Sequence, residues 1–236
     1  NSIEELNYIK ESKNFIEVGS STPLIDFEFF IKKYFPDFAK ILKRYGSVQI
    51  RNVCTIAGNI ATASPIGDTL PLLLALDSQV IIKDIKKTRI LPLNGFFTDY
   101  RKTKLKKGEF IHSIRIPFHK KDIFKAYKIS KRIDDDISSV CASFCIEINN
   151  NKVKKIRIAY GGMSNIPKRA IQSEKILLNS FLSSQKIDEA KKLLEKDFKP
   201  ISDVRASNKY RMEVAKNLLE KCFLEVKQKK LISINR

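Results

Sequence analysis

The chain of 236 residues is 43% hydrophobic and has a formal net charge of +19. At this length and apolar content it can bury a core and form one large domain or two of roughly 100 residues each. The longest apolar run, near residues 71–76, is far shorter than the roughly 20 residues that a membrane-spanning helix needs, and no apolar signal segment opens the chain. These totals indicate a globular protein of the cytoplasm.

The positive charge is spread along the chain and is not gathered into one basic stripe. Segments such as KDIKK, KTKLKKGE and KKLLEK contain no interleaved aromatic residues. No helix-turn-helix, RNA-recognition or zinc-finger spacing is present. Nucleic acid is therefore a disfavoured partner, although a basic surface would also attract a phosphate-bearing cofactor.

The cysteines are scattered and form no CxxC motif. Cys141 and Cys145 would share one face of a strand, with apolar neighbours on either side. These two are predicted to be buried thiols, and the four cysteines together, which include Cys54 and Cys222, indicate no disulfide framework, zinc site or iron–sulfur site.

The N-terminal segment opens without an initiator methionine, which predicts a fragment or a processed chain. Ser2 and Glu5 have the spacing of a capping box, so a short helix is expected there, with apolar residues 3, 6 and 9 on one side. Residues 15–20 (FIEVGS) read as a strand. Thr22 as N-cap and Pro23 at the first helical position predict a helix that continues to Pro36.

The rest of the first half predicts an α+β unit that closes near residue 118. A second helix, DFAKILKRY, should end at a Gly46 C-cap. After a stretch of small residues come a helix over residues 69–76, two strands joined by a turn (SQVIIKDI and TRILPL), and the alternating strand GEFIHSIRIP.

The second half predicts an antiparallel meander followed by helices. The strand candidates are FKAYKIS, ISSVCASFCIEI and VKKIRIAYGG, the last two joined by a turn at residues 149–151. Helices are expected over PKRAIQSEKILLN, SQKIDEAKKLLEKDF and residues 208–227. The last has a packing stripe at Tyr210, Val214, Leu218, Cys222 and Val226. The fold class is therefore α+β, with the C-terminal helices on one face of an antiparallel sheet.

Residues 54–68, CTIAGNIATASPIGD, differ from the rest of this lysine-rich chain because they are small and include no lysine. Gly58 allows close approach of a ligand to the backbone, and Asp68 could accept hydrogen bonds from sugar hydroxyls. The alternative is a tightly packed loop in which Asp68 only caps the next helix. The stretch has neither the GxGxxG nor the Walker pattern, so both interpretations stay open on residues alone.

A longer segment, SVQIRNVCTIAGNIATASPIGDTLPLLLAL, closely resembles the signature of the FAD-binding domain of molybdenum hydroxylases, the xanthine dehydrogenase family. The resemblance continues through TKLKKGEFIHSIRIP, AYKISKRIDDDISSVCASF, RIAYGGMSNIPKRA and ISDVRASNKYRMEVAKNLL. It implies that residues 1–118 are the C-terminal part of a two-subdomain FAD-binding domain. Residues 119–236 would be the C-terminal flavoprotein domain of the same family.

The resemblance also implies a set of cofactor-contacting positions: Thr55, Gly58, Asn59, Ile60, Thr62, Asp68, Ile111 and Lys128. Asp68 matches an aspartate that binds the sugar-like portion of FAD, and Ile111 matches an apolar residue beside the adenine or the ring system. Lys128 matches a lysine close to the isoalloxazine, where a cation would favour the anionic reduced flavin.

The implied activity is electron transfer by part of a larger oxidoreductase. Electrons from a purine would pass from the molybdopterin centre of a large partner subunit, through 2Fe-2S clusters, to FAD and then to NAD⁺. The alternatives are the flavin subunit of a related molybdenum hydroxylase, such as a carbon monoxide dehydrogenase, and a basic binding module that has lost flavin. No residue of this chain is expected to act as an acid or base.

Two departures from the family pattern bear on these expectations. The glycine-rich loop that holds the FAD pyrophosphate and the iron–sulfur domains would both lie before Asn1. Ile133 stands in KRIDDD where some members carry a second arginine. The acidic run 134–136 that follows is predicted to be a turn and not a metal site, because consecutive strand residues point to opposite faces.

Overall fold

A computed structural model of the protein describes residues 3–118 and 121–228. None of the helices within these ranges is long and apolar enough to cross a membrane. After a single 3-10 turn at Glu4–Leu6, the elements up to residue 118 are β1 (Ile9–Glu11), β2 (Phe15–Gly19), α1 (Leu24–Ile31), α2 (Pro36–Lys43), α3 (Val48–Val53), α4 (Ile56–Thr62), α5 (Thr69–Ala75), β3 (Gln79–Lys83), β4 (Thr88–Pro92), β5 (Phe97–Asp99), β6 (Lys102–Thr103) and β7 (Phe110–Pro117).

The first half forms a five-stranded sheet in the order β1-β2-β7-β3-β4. Every neighbouring pair is antiparallel. The alternation of β7 places Ile114 and Ile116 in the core, where both are fully buried. The predicted hairpin of β3 and β4 and the predicted strands β2 and β7 are confirmed.

The second half contains the elements β8 (Ile123–Ile129), β9 (Val140–Asn149), β10 (Lys152–Gly161), β11 (Lys168–Arg169), α6 (Ile171–Leu177), α7 (Ser184–Asp197) and α8 (Asn208–Gln228). Its four strands form an antiparallel sheet in the order β11-β10-β9-β8. The α+β class and the antiparallel meander are confirmed. The division of the chain at residue 118 stays a prediction.

Both faces of this second sheet are covered, because successive residues of β9 point to opposite sides. Ala142 and Phe144 belong to the core under α6, α7 and α8, whereas Cys141 and Cys145 belong to the core of the first half. The helix α5 packs on β9 and β10, and all seven of its residues are buried. The C-terminal helices occupy one face as predicted, and the first half covers the other.

Several predicted element boundaries were wrong near the N-terminus. A helix with Ile9 on its face is not formed, since only a 3-10 turn precedes β1; Ser2 lies outside the described residues. Thr22 does not cap α1, because its hydroxyl donates to the Tyr8 carbonyl and accepts from the Tyr8 amide. The helix ends at residue 31 and not at Pro36, which instead begins α2.

Further corrections concern α2, α6 and α8. The Gly46 C-cap was wrong, since α2 ends at Lys43 and its C-cap residue is Arg44. The helix predicted from residue 167 begins only at Ile171, because residues 168–169 pair with β10. The stripe on α8 is rotated: Leu218 and Cys222 are buried, but Tyr210 is half exposed, and Arg211 is buried instead.

Candidate functional site

A cleft of about 720 Å³ lies where the two halves of the chain meet. Its walls come from α3, α4 and the loop after α4 on one side, and from the end of β8 and the following turn on the other. Ile50, Val53 and Ile137 supply apolar wall, while Asp68 and Lys128 supply charge. The cleft therefore combines an apolar surface with one buried ionic centre.

Seven of the fifteen residues in the stretch of small residues form the helix α4, Ile56–Thr62, which is a correction to the tightly packed loop that its composition allowed. Thr55 is the N-cap of α4, and its hydroxyl accepts a hydrogen bond from the Gly58 amide at 2.9 Å. Such a cap satisfies one of the unpaired amides at a helix start. The helix ends at Ala63, which has a left-handed φ of 48°. Small side chains thus form the surface of a short capped helix.

Gly58 keeps that helix surface open. A methyl group at this position would lie 3.2 Å from the Thr55 hydroxyl oxygen; apart from the helix backbone and the two adjacent residues, no other described atom would lie within 4 Å. The Thr62 hydroxyl donates to the Gly58 carbonyl at 2.8 Å, one turn further on. The result is a shallow cradle bordered by two hydroxyl groups.

Asn59 joins α4 to its neighbours through its side-chain amide. The amide nitrogen donates to the Tyr45 hydroxyl at 3.1 Å, and the amide oxygen accepts from the Thr69 hydroxyl at 2.5 Å. Burial, with smaller effects from Cys54 and Asp68, raises the pKa of Tyr45 to about 12. The Tyr45 ring is therefore neutral at physiological pH, and it lines the cleft.

The ionic centre is a buried pair between Asp68 and Lys128. The Lys128 ammonium lies 2.6 Å from Asp68 Oδ2, and the two side chains are 1% and 6% exposed, lysine first. The Ser138 hydroxyl donates to Asp68 Oδ1 at 2.5 Å. Asp68 occupies the N-cap position of α5, but its side chain makes no capping bond. The expected role of Asp68 as a helix cap was therefore wrong, because its two carboxylate oxygens accept hydrogen bonds from Lys128 and Ser138 in the second half of the chain.

Arg44 holds the end of β8 against α2. Its Nη1 donates to the Lys128 carbonyl at 3.0 Å, its Nη2 to the Ser130 hydroxyl at 3.2 Å and its Nε to the Ile133 carbonyl at 2.7 Å. In return, the Lys128 ammonium donates to the Arg44 carbonyl at 3.1 Å. The arginine and the lysine are thus linked in both directions.

The acidic run forms a turn at the rim of the cleft. Asp135 has a left-handed φ of 51°, and the Asp136 carboxylate accepts from the Arg132 and Ile137 amides. These backbone hydrogen bonds, the one from Arg132 first, hold the pKa of Asp136 below its usual range. Among residues 3–118 and 121–228, no group of three or more His, Cys, Asp or Glu side chains is arranged to hold a metal ion.

The structure brings six of the eight candidate positions to the cleft and leaves two elsewhere. Ile60 is fully buried in the core, and Ile111 lies on β7, packed in the same core. The residues at the cleft are Thr55, Gly58, Asn59, Thr62, Asp68 and Lys128.

Sequence reasoning missed four contributors to the site. Tyr45 and Arg44 directly precede Gly46 and Ser47, which come just before α3. The Gly-Ser pair indicates a turn but does not indicate a ligand site. Arg101 reaches the cleft from the tip of the unpredicted β5–β6 hairpin. Ser138 has no sequence signal, because its partner is 70 positions away.

Two known protein families match this chain, one over each of the two halves that form the cleft. The description "FAD binding domain in molybdopterin dehydrogenase" matches residues 1–119, and "CO dehydrogenase flavoprotein C-terminal domain" matches residues 125–226. A glyceraldehyde dehydrogenase medium chain of Sulfolobus acidocaldarius is 31% identical over 229 residues, which cover 96% of this chain and 81% of that one. A xanthine dehydrogenase of Emericella nidulans is 33% identical over 211 residues, covering 83% of this chain but 16% of the relative.

The fold is also similar to solved structures. A chain of carbon monoxide dehydrogenase from Hydrogenophaga pseudoflava superposes with a TM-score of 0.88 at 24% identity, over 93% of this chain and 77% of that one. A chain of quinoline 2-oxidoreductase from Pseudomonas putida 86 superposes with a TM-score of 0.86 at 21% identity, over 98% and 81%. At these identities the likeness concerns the fold.

Proposed function

Because the chain belongs to the family of FAD-binding flavoproteins of the molybdenum hydroxylases, we propose that it holds FAD in this cleft as the flavin portion of xanthine dehydrogenase. The observation that carries the proposal is the buried Asp68–Lys128 pair inside a partly apolar cleft. A buried ion pair is costly to desolvate, so an isolated pair of charges that lines a cleft is a candidate for a ligand-binding role.

The donor set of the cleft fits a flavin nucleotide. Ile50, Val53 and the neutral ring of Tyr45 offer apolar surface to a flat ring system. The Gly58 cradle allows close approach, and the Thr62 hydroxyl can accept a further hydrogen bond. Each Asp68 oxygen accepts one hydrogen bond within the chain and has capacity for another, which suits a polyhydroxylated ligand.

The chain contributes binding and electrostatics. When bound, FAD would supply the redox chemistry that links electrons from molybdopterin and 2Fe-2S clusters on partner segments to hydride transfer to NAD⁺. Lys128 favours negative charge in its neighbourhood, and Asp68 limits that effect because it neutralises part of the field. Within the described chain this pair is the only charged pair of the cleft with both side chains less than 10% exposed.

In this proposal the purine is oxidised on another subunit and not on this chain. A second candidate, an aldehyde-oxidising molybdenum hydroxylase, is favoured by the glyceraldehyde dehydrogenase medium chain, because the alignment covers most of both proteins. The two candidates assign the same role to this chain and differ only in what the molybdopterin subunit oxidises.

The test is a spectrum of the intact assembly, purified through a tag on this chain. Flavin absorption, with FAD recovered on denaturation, is expected. Bleaching of that absorption by xanthine and its return with NAD⁺ would support the leading candidate, whereas bleaching by glyceraldehyde alone would favour the second. Absence of flavin from the assembly would overturn both, and salt-sensitive nucleic-acid binding by such a preparation would favour a basic binding module.

A further inference from the structure

The reciprocal link between Arg44 and Lys128 is a feature that FAD binding alone does not explain. The Arg44 guanidinium donates to the Lys128 carbonyl, and the Lys128 ammonium donates to the Arg44 carbonyl. The main chain and the side-chain end of Lys128 are therefore both held by the same residue. This arrangement fixes where the ammonium lies relative to α2.

The partners of Arg44 show that its role is geometric. Among residues 3–118 and 121–228, its hydrogen-bond acceptors are two carbonyls and the Ser130 hydroxyl, at the end of β8 and in the turn after it, and none is a carboxylate. A guanidinium presents its donors in a rigid planar fork, whereas an ammonium is a single point of charge. Lysine at position 44 would keep the charge and lose this pattern of contacts.

The Lys128 ammonium uses two of its donors in hydrogen bonds with the described residues. An ammonium has three N–H donors. In the part of the chain that the structure describes, two of them go to Asp68 and to the Arg44 carbonyl. The third donor is available at a residue that lines the cleft.

We propose that Arg44 is a positioning residue that sets the Lys128 ammonium for contact with the reduced form of the bound flavin. The proposal rests on the proposed function, since it assumes FAD in this cleft. Displacing the ammonium would weaken binding of the anionic reduced flavin more than binding of the neutral oxidised flavin. Arg44→Lys is therefore expected to lower the midpoint potential of the flavin.

The experiment compares flavin potentials in the intact assembly carrying wild-type chain, Arg44→Lys or Arg157→Lys. Arg157 is the matched control, because it also links the two halves, from β10 to the Ala75 carbonyl at 2.7 Å. Unlike the Arg44 partner Lys128, the Arg157 partners Ala75, Asp122 and Cys145 do not line the cleft. If the displaced Lys128 ammonium loses one charged hydrogen bond to the reduced flavin, the ratio of the affinities for reduced and oxidised flavin changes by roughly tenfold. For a two-electron couple this is about 30 mV.

The expected result is a potential lowered by about that amount in Arg44→Lys and unchanged in Arg157→Lys, even if both variants lower the melting temperature. Equal potentials in all three proteins would overturn the proposal, as would equal shifts in both variants. If Arg44→Lys does not assemble, Ser130→Ala removes one of its contacts and should shift the potential in the same direction; no shift there counts against the proposal. A wild-type assembly without flavin would instead refute the proposed function.

Discussion

The Lys128 ammonium lies 2.6 Å from the Asp68 carboxylate, and the two residues are 60 positions apart in the chain. Lys128 lies near the end of β8 in the second sheet. Asp68 immediately precedes α5, the helix that packs against this sheet. One contact between unlike charges therefore connects the halves of the chain at the wall of the cleft. Its burial makes each charge dependent on the other.

Removing one member of this pair is expected to destabilise the protein strongly. Lys128→Met or Asp68→Asn should each lower the free energy of unfolding by about 3 to 5 kcal/mol, because the remaining group is left buried without its partner. The double variant should lose less than the sum of the two. Urea unfolding of the four proteins gives the coupling energy.

The control for this cycle is the pair between Lys155 and Glu147, which are 2.8 Å apart and whose side chains are 62% and 17% exposed, lysine first. Lys155→Met should leave the free energy of unfolding nearly unchanged, because surface ion pairs contribute little. A cost for Lys128→Met no larger than that for Lys155→Met would contradict the importance of burial.

The cap of α4 should contribute measurably to stability. Thr55→Ala removes the acceptor for the Gly58 amide and is expected to cost about 1 kcal/mol, whereas Thr55→Ser keeps a hydroxyl oxygen and should cost much less. Chemical denaturation of both variants tests this. Equal losses for alanine and serine would mean that the methyl group of Thr55, and not the cap, stabilises the helix.

Two glycines with nearly the same backbone conformation allow the cost of a left-handed φ to be measured separately from the cost of a steric clash. Gly162 has φ +80°, and an added methyl would lie 2.4 Å from the Ser139 carbonyl oxygen. Gly108 has φ +83°, and beyond its chain neighbours no described atom lies within 4 Å of such a methyl. Gly108→Ala should cost about 1 to 2 kcal/mol for the left-handed conformation alone.

Gly162→Ala should cost clearly more, because Ser139 must also shift. Ser139 follows Ser138, which binds Asp68, so this variant is further expected to weaken FAD binding, while Gly108→Ala is not. Thermal unfolding and FAD titration of the two variants provide the comparison. Similar stability losses would rule out a steric role for the Ser139 contact.

The stability of the first sheet should depend on pH through Glu17. Burial alone would raise the pKa of Glu17, but hydrogen bonds from Arg115, Ser113 and Tyr8 outweigh it and lower the pKa overall. For a carboxyl with a lowered pKa, the stabilising contribution is present above its unfolded-state pKa and is lost as the pH falls through the folded-state pKa.

Glu17→Gln should therefore be less stable than the wild-type chain at pH 7, by about 1 kcal/mol, and the difference should shrink below about pH 4. Urea unfolding from pH 7 to pH 3 measures it. If the difference in the free energy of unfolding between the two proteins stays constant across this pH range, the charge on Glu17 does not contribute to stability.

Local patterns in the sequence determined most of the regular elements. The β3–β4 hairpin, β7 and the β8–β9–β10 meander follow from apolar alternation and turn residues, and α7 and α8 follow from helical spacing. The same patterns failed at α3 and α4. Both helices are short and begin at a capping hydroxyl, that of Ser47 for α3 and that of Thr55 for α4, and the small residues of α4 carry a weak hydrophobic period.

For the site, the resemblance to a family identified six of the positions at the cleft, but the tertiary structure decided how they act. The sequence by itself determined the fold class, the two sheets and a chain of small residues suited to a ligand. Only the folded chain paired Lys128 with Asp68, brought Ser138 and Arg44 to that pair, and placed Ile60 and Ile111 in the core. Local propensity depends on neighbours along the chain, whereas a buried charge requires a partner in space, and that partner can lie anywhere in the sequence.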